Sequence, residues 1–200
     1  MNIKHIHDDL ISMINLYGVI SIEDACEIIN HYEKTDLTPA TLYPLLKFEV
    51  LESNQMFLLN EYFMLEIFLE DLEYLDLIEL QEDIPFYQPS KKELHKYKED
   101  LYHEETESLK KLKQFILKWV KGNQTQIINF VDYLSYFLKD SFNLEEIPDQ
   151  LNEFGCKIQK DKFDEFLVLC LEAHQNTRLW QNRGYTNTEL LQISQNKQRS

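Results

Sequence analysis

The apolar positions of residues 4–17 fall on one helical stripe, Ile6, Leu10, Ile14 and Tyr17, and Gly18 follows where a left-handed stop is expected. Ser21-Ile22-Glu23-Asp24 reads as a capping box opening a second helix, whose apolar face is Ala25, Ile28, Ile29 and Tyr32. Thr38-Pro39 writes a third start, an N-cap followed by proline at the first helical position. That helix carries Leu42, Leu45 and Leu46, and Pro44 should kink or shorten it. After Phe48 the period changes. Met56–Leu59 and Tyr62–Leu65 flank Asn60-Glu61, the pattern of a β-hairpin. A continuous helix from about 61 to 81 competes with the hairpin, because Leu65, Phe68, Leu72 and Leu75 also keep helical spacing.

Glu79 to Pro89, with acids and prolines around Phe86-Tyr87, reads as an extended boundary. Beyond it, Ser90–Glu93 caps a helix expected through roughly His103, and further helices are expected at about 104–121, 124–139, 144–153 and 160–175. Thr186 with Glu189 caps a last helix, and the polar tail Gln195–Ser200 is expected to fray. The fold class is therefore all-α with a small β-hairpin. Residues 1–83 form a winged-helix-like N-terminal module and residues 84–200 a helical domain. Four glycines and five prolines in 200 residues leave little loop material, in agreement with that reading.

Charge divides the chain in the same place. Residues 1–83 hold three lysines against 18 Asp and Glu, a net of −15, whereas residues 84–200 balance 17 Lys and Arg against 17 acids. No apolar run is long enough to span a membrane, and the N-terminal residues lack the apolar core of a signal peptide. With three separated cysteines, Cys26, Cys156 and Cys170, these features lead to the expectation of a cytoplasmic protein with reduced thiols.

Three stretches together carry a resemblance: Asn15–Glu23, then Pro85–Pro89 with Lys91–Glu99, then Asn176–Leu190. They resemble a family of uncharacterised helical proteins of low-GC Gram-positive bacteria, some of which continue into a cysteine-rich zinc-binding SEC-C motif. This chain has no cysteine after Cys170, so that metal site does not carry over. The resemblance implies architecture and no activity.

Candidate chemistry is sparse. Arg178-Leu-Trp-Gln-Asn-Arg-Gly-Tyr could stack Trp180 and Tyr185 on a ring while Arg178 and Arg183 hold phosphate, but a packed turn needs the same residues and is favoured. His95, Glu99 and His103 would share one face of a helix, without a fourth ligand and among lysines, so a solvated face is the better reading. Cys170 and His174 lie one turn apart, yet Cys170 sits in an apolar run that argues for an inert, buried thiol. No phosphate loop, nucleophile elbow or paired-carboxylate motif is present. The chain is read as a non-enzyme needing no cofactor and holding no metal.

A winged helix invites a DNA-binding reading, but phosphate binding relies on Lys and Arg, and a segment of net −15 is repelled by duplex DNA. The expectation is a non-enzymatic interaction or regulatory protein. Its acidic module docks on a basic protein partner through Asp36, Glu49, Glu66, Glu70 and Glu73, the last three expected on one face of a long helix. The alternative is a nucleic-acid-associated factor using Lys110, Lys113, Arg178 and Arg183 in the C-terminal half. The nine lysines between Lys91 and Lys121 also leave open that part of the −15 is neutralised within the chain.

Overall fold

Gly18 takes the left-handed φ of 77° that ends helix α1 (Ile3–Tyr17), and its amide donates to Ile14 O at 2.8 Å. The computed structural model describes residues 3–99, 104–139 and 142–199, and it is mostly helical. Strand β1 (Val19–Ser21) follows the glycine directly. Ser21 then caps α2 (Ile22–Glu33) by accepting from Asp24 N at 3.0 Å. Thr38 and Thr41 form a reciprocal capping box on α3 (Pro39–Leu42), and Pro44 turns the chain into a 3-10 stretch (Tyr43–Leu45) before α4 (Phe48–Glu52).

The hairpin reading holds and the continuous helix over 61–81 does not. Strands β2 (Met56–Leu59) and β3 (Tyr62–Leu65) pair antiparallel across Asn60 and Glu61, whose φ of 49° and 69° match a primed turn. Strand β1 adds to β3, giving a three-stranded sheet in the order β1-β3-β2. The stretch Glu66–Leu72 is 3-10, and Leu72 breaks it with φ 63° before α5 (Glu73–Leu80). Glu66 and Glu70 therefore do not share a continuous helix with Glu73, as the sequence spacing had suggested.

The chain divides into two compact units, Met1–Tyr102 with Trp180–Gly184, and His103–Leu179 with Tyr185–Ser200. The first unit thus runs on past Asp83. Its core gathers Leu10, Ile14, Tyr17, Ile29, Leu42 and Phe63 with Leu94 and Tyr97 from beyond the acidic stretch. Those last two are placed by α6 (Lys91–Leu94), which Ser90 and Glu93 cap reciprocally, and by the 3-10 turn His95–Lys98. The helix expected through His103 is thus shorter: Glu99 is already extended, and Asp100–His103 lie outside the described residues.

The second unit is built on α7 (Glu107–Trp119) and α10 (Lys160–Gln175), which run antiparallel: Phe115 stacks on Phe166 at 6.1 Å, and Lys162 lies over the Trp119 ring. Helix α8 (Gln124–Phe137) starts on an Asn123–Gln126 capping box, and α9 (Ile147–Glu153) follows a 3-10 turn. A ribbon of two antiparallel two-residue strands, β4 (Val120–Lys121) and β5 (Lys157–Ile158), was not foreseen from periodicity because such short strands carry no alternation. Helix α11 (Asn187–Arg199) opens on the Thr186–Glu189 box and continues through most of the tail expected to fray. No helix among the described residues is long and apolar enough to cross a membrane.

Candidate protein interaction surface

Acids dominate the first unit without interruption over one long stretch: residues 48–90 contain 11 Asp and Glu and no Lys, Arg or His. The 3-10 turn and α5 hold Glu66, Glu70 and Glu73 exposed on its surface, with Asp76 and Glu79 beside them. Asp36, just before the Thr38 cap, and Glu49 in α4 are exposed as well. Among the described residues none of these carboxylates enters an ion pair.

Other acids of the same unit are neutralised inside it. Asp9 lies on the buried side of α1 with its side chain 1 % exposed. Its Oδ1 is 2.5 Å from His95 Nε2, and Lys91 Nζ stands 3.8 Å from Oδ2. Lys91 also meets Glu33, and Lys98 pairs with Asp8 at 2.8 Å. The segment 91–98 therefore clamps α1 and α2 by charge as well as by Leu94 and Tyr97. The sequence reading missed Asp9, although an Asp pair on a helix otherwise rich in buried apolar residues was a visible sign. It also explains His95: the ring faces Asp9 and not Glu99, which has left the helix. Tyr32 completes this region by donating to Pro89 O at 2.6 Å, and its hydroxyl pKa is pushed up to about 12 by burial and then by neighbouring Tyr87, Asp9 and Glu93.

The four cations considered for nucleic acid all hold partners. Lys110 pairs with Glu107 at 2.8 Å and Lys113 with Glu105, each within the second unit. Arg178 is nearly buried and bonds Glu104 at 2.9 Å and Glu189 at 2.9 Å, tying the N-terminal end of α11 to the chain before α7. Arg183, in the first unit, donates to Ile84 O at 2.8 Å with its guanidinium 4.4 Å over the Phe86 ring.

The Trp180–Gly184 turn does the structural work that was favoured for it. Trp180 is buried, meets Phe68 edge-on at 5.1 Å and donates its indole N–H to Asn15 O. Gln81 bonds both Tyr17 O and Trp180 O at 2.8 Å. Gly184 has φ 81°, and a Cβ there would stand 3.1 Å from Leu16, so glycine is required.

The Cys–His pair has no nucleophilic arrangement. Burial raises all three thiol pKa values, that of Cys26 to about 11 and that of Cys170 furthest. His174 places Nδ1 2.9 Å from Leu138 O and stacks on Phe142 at 4.6 Å. Burial lowers its pKa, opposed by that backbone bond. The folded unit thus favours neutral imidazole, and the unfolded chain takes up a proton first as pH falls. His174 therefore contributes stability above its ordinary pKa that is lost on acidification through that value. Thermal melts between about pH 7 and 5 should fall less steeply for His174→Gln than for the native chain. Equal slopes would remove His174 from the acid response.

No group of three or more His, Cys, Asp and Glu among the described residues is arranged to hold a metal ion. No family model, curated protein or solved structure matches this chain.

Proposed function

We propose that the protein is a non-enzymatic interaction or regulatory protein of the cytoplasm, whose acidic N-terminal unit docks on a basic protein partner. The observation that carries this reading is the row of exposed carboxylates, Asp36, Glu49, Glu66, Glu70 and Glu73, none ion-paired among the described residues, on a unit whose residues 48–90 lack any cation. A surface of one sign steers and selects partners of the other.

The order helix, strand, three helices, hairpin, with β1 pairing β3, supports the reading of residues 1–83 as a winged-helix-like module. In such a fold the second helix of the helix-turn-helix would face DNA. Here α3 and the 3-10 stretch after it hold no cation and expose Tyr43 and Pro44, Lys47 is the lone cation that follows, and Phe48 and Glu49 open α4 beyond it, an apolar and acidic surface suited to protein. Nucleic-acid contact through Lys110, Lys113, Arg178 and Arg183 would require each to give up the partner it holds.

Affinity capture at low salt should recover a basic protein that moderate salt releases. The triple variant Glu66→Lys/Glu70→Lys/Glu73→Lys should reduce capture by about tenfold or more. Undiminished capture by that variant would overturn the surface assignment.

A further inference from the structure

Residues 108–131 hold five lysines and no Asp or Glu, in a chain with 35 acids against 20 Lys and Arg. On α7, Lys111 and Lys118 are both exposed and seven positions apart, so they stand two turns, about 10 Å, from each other on one side of the helix. The ribbon that follows continues the cations. Lys121 and Lys157 are register partners of β4 and β5 and both are exposed, while Val120 lies in the core and Ile158 packs against it. Residues directly opposed across two strands share a face, and like charges so placed cost stability, so the fold gains nothing from Lys121 beside Lys157. Lys160 opens α10 three residues later, exposed as well.

Among the described residues none of Lys111, Lys118, Lys121, Lys157 and Lys160 enters an ion pair. The Trp119 ring steadies the middle of the row: Lys118 Nζ lies 4.8 Å and Lys162 Nζ 4.7 Å from its centroid. Of these two, Lys162 is the one held by an acid, Glu165. Glu107, one turn before Lys111, is bonded to Lys110, and Glu153 and Asp161 border the row on either side of β5 in sequence.

On this side of α7 the exposed apolar residue is Leu117. A single leucine is too little for the apolar anchors of a protein hot spot or for insertion into a lipid surface. A phosphate backbone needs neither, because lysine point charges hold it by releasing its counterions, whatever the base sequence. We propose that the row Lys111, Lys118, Lys121, Lys157 and Lys160 binds the phosphate backbone of a nucleic acid without reading its sequence. The proposal stands on the second unit alone and uses none of Lys110, Lys113, Arg178 and Arg183. The chain's net charge of −15 opposes every polyanion at long range, so affinity is expected at the non-specific level of about 1–100 μM at physiological salt.

Fluorescence anisotropy of the full chain with a labelled single-stranded RNA and a labelled DNA duplex, each of about 20 nucleotides per strand, tests it. For five neutralised phosphates, raising salt from about 50 to about 200 mM should weaken single-strand binding by about a hundredfold, and duplex binding by about five-hundredfold. The tighter of the two names the form of nucleic acid. Lys121→Gln/Lys157→Gln should bind about tenfold or more weakly at the lower salt, and its single-strand loss over the same salt range should shrink to about twentyfold. Since both lysines are exposed and opposed, this variant should melt no earlier than the native chain. Lys92→Gln/Lys96→Gln, the same change of net charge at exposed lysines of the first unit, should leave affinity within about twofold. No binding of either oligonucleotide at the lower salt would overturn the proposal. Equal weakening by the two double variants would do so too, because net charge and not the row would then set the affinity. Capture by phosphatidylserine vesicles without binding of either oligonucleotide would make the occupant a lipid surface and overturn it as well.

Discussion

Trp180→Ala should destabilise the first unit by roughly 3–5 kcal/mol, the range for removing a large aromatic from a packed core. The indole is 4 % exposed and its ring centroid is 5.1 Å from that of Phe68. A Cβ built on Gly18 would stand 3.0 Å from the Trp180 ring and 3.0 Å from Leu77, so the backbone of the first helix break lies directly against it. Gly18 has no side chain to fill the space, and its φ of 77° disfavours most others there. The loss also leaves Asn15 O without its indole donor. Trp180→Phe keeps most of the ring and should recover about half of the effect. Urea unfolding followed by circular dichroism measures it. Since there are two compact units, the transition should be fitted for two steps, with the change confined to one of them. An unchanged unfolding curve for Trp180→Ala would mean that the turn is decoration on the unit and not part of its core.

Removing both side chains that face Asp9 should be as damaging. Lys91→Met with His95→Leu leaves a carboxylate whose side chain is 1 % exposed with neither of the polar partners that face it, a situation that costs roughly 3–5 kcal/mol. The asymmetry is informative. His95 and Lys91 each keep about a third of their side-chain surface, 32 %, and can be hydrated if the acid is lost, but Asp9 cannot. Adding Asp9→Leu to the double variant should therefore restore most of the stability, since an apolar side chain at that site needs no partner. Thermal and urea melts of the double and triple variants decide it: a triple variant no more stable than the double would show that the penalty comes from lost packing of residues 91–98, not from buried charge.

These two sites also mark where sequence reading succeeded and where it stopped. Signals confined to a few consecutive residues were legible. The Ser21, Thr38, Ser90 and Thr186 caps, the Gly18 stop and the Asn60-Glu61 turn all depend on neighbours within about four positions. Leu72 was misjudged because helical spacing from Leu65 to Leu75 is real, and only its left-handed φ of 63° divides the stretch into a 3-10 turn and a helix with exposed leucines. Nothing in the spacing announces that conformation. Asp9 was missed for a different reason. Its partner His95 is 86 positions away, and a carboxylate that looks like one more member of a solvated acidic face becomes a buried anchor only when the later segment folds over it. The acidic residues of the proposed surface were legible as charge. Their arrangement was not, since Glu66 and Glu73 stand on either side of the break at Leu72.

The excursion of Trp180–Gly184 into the first unit sets the order in which this protein can be completed during its synthesis. Leu179 N bonds Tyr185 O at 3.2 Å, closing the base of the loop, while the loop's own side chains fill the first unit. An N-terminal unit ordinarily folds as soon as it leaves the ribosome. Here Gly18, Phe68 and Gln81 must wait for Trp180, so the first unit stays unfinished until residue 180 has been made. A chain cut before that point lacks the residues that fill this part of the first unit, and no single cut in the connection between the units yields a complete N-terminal half.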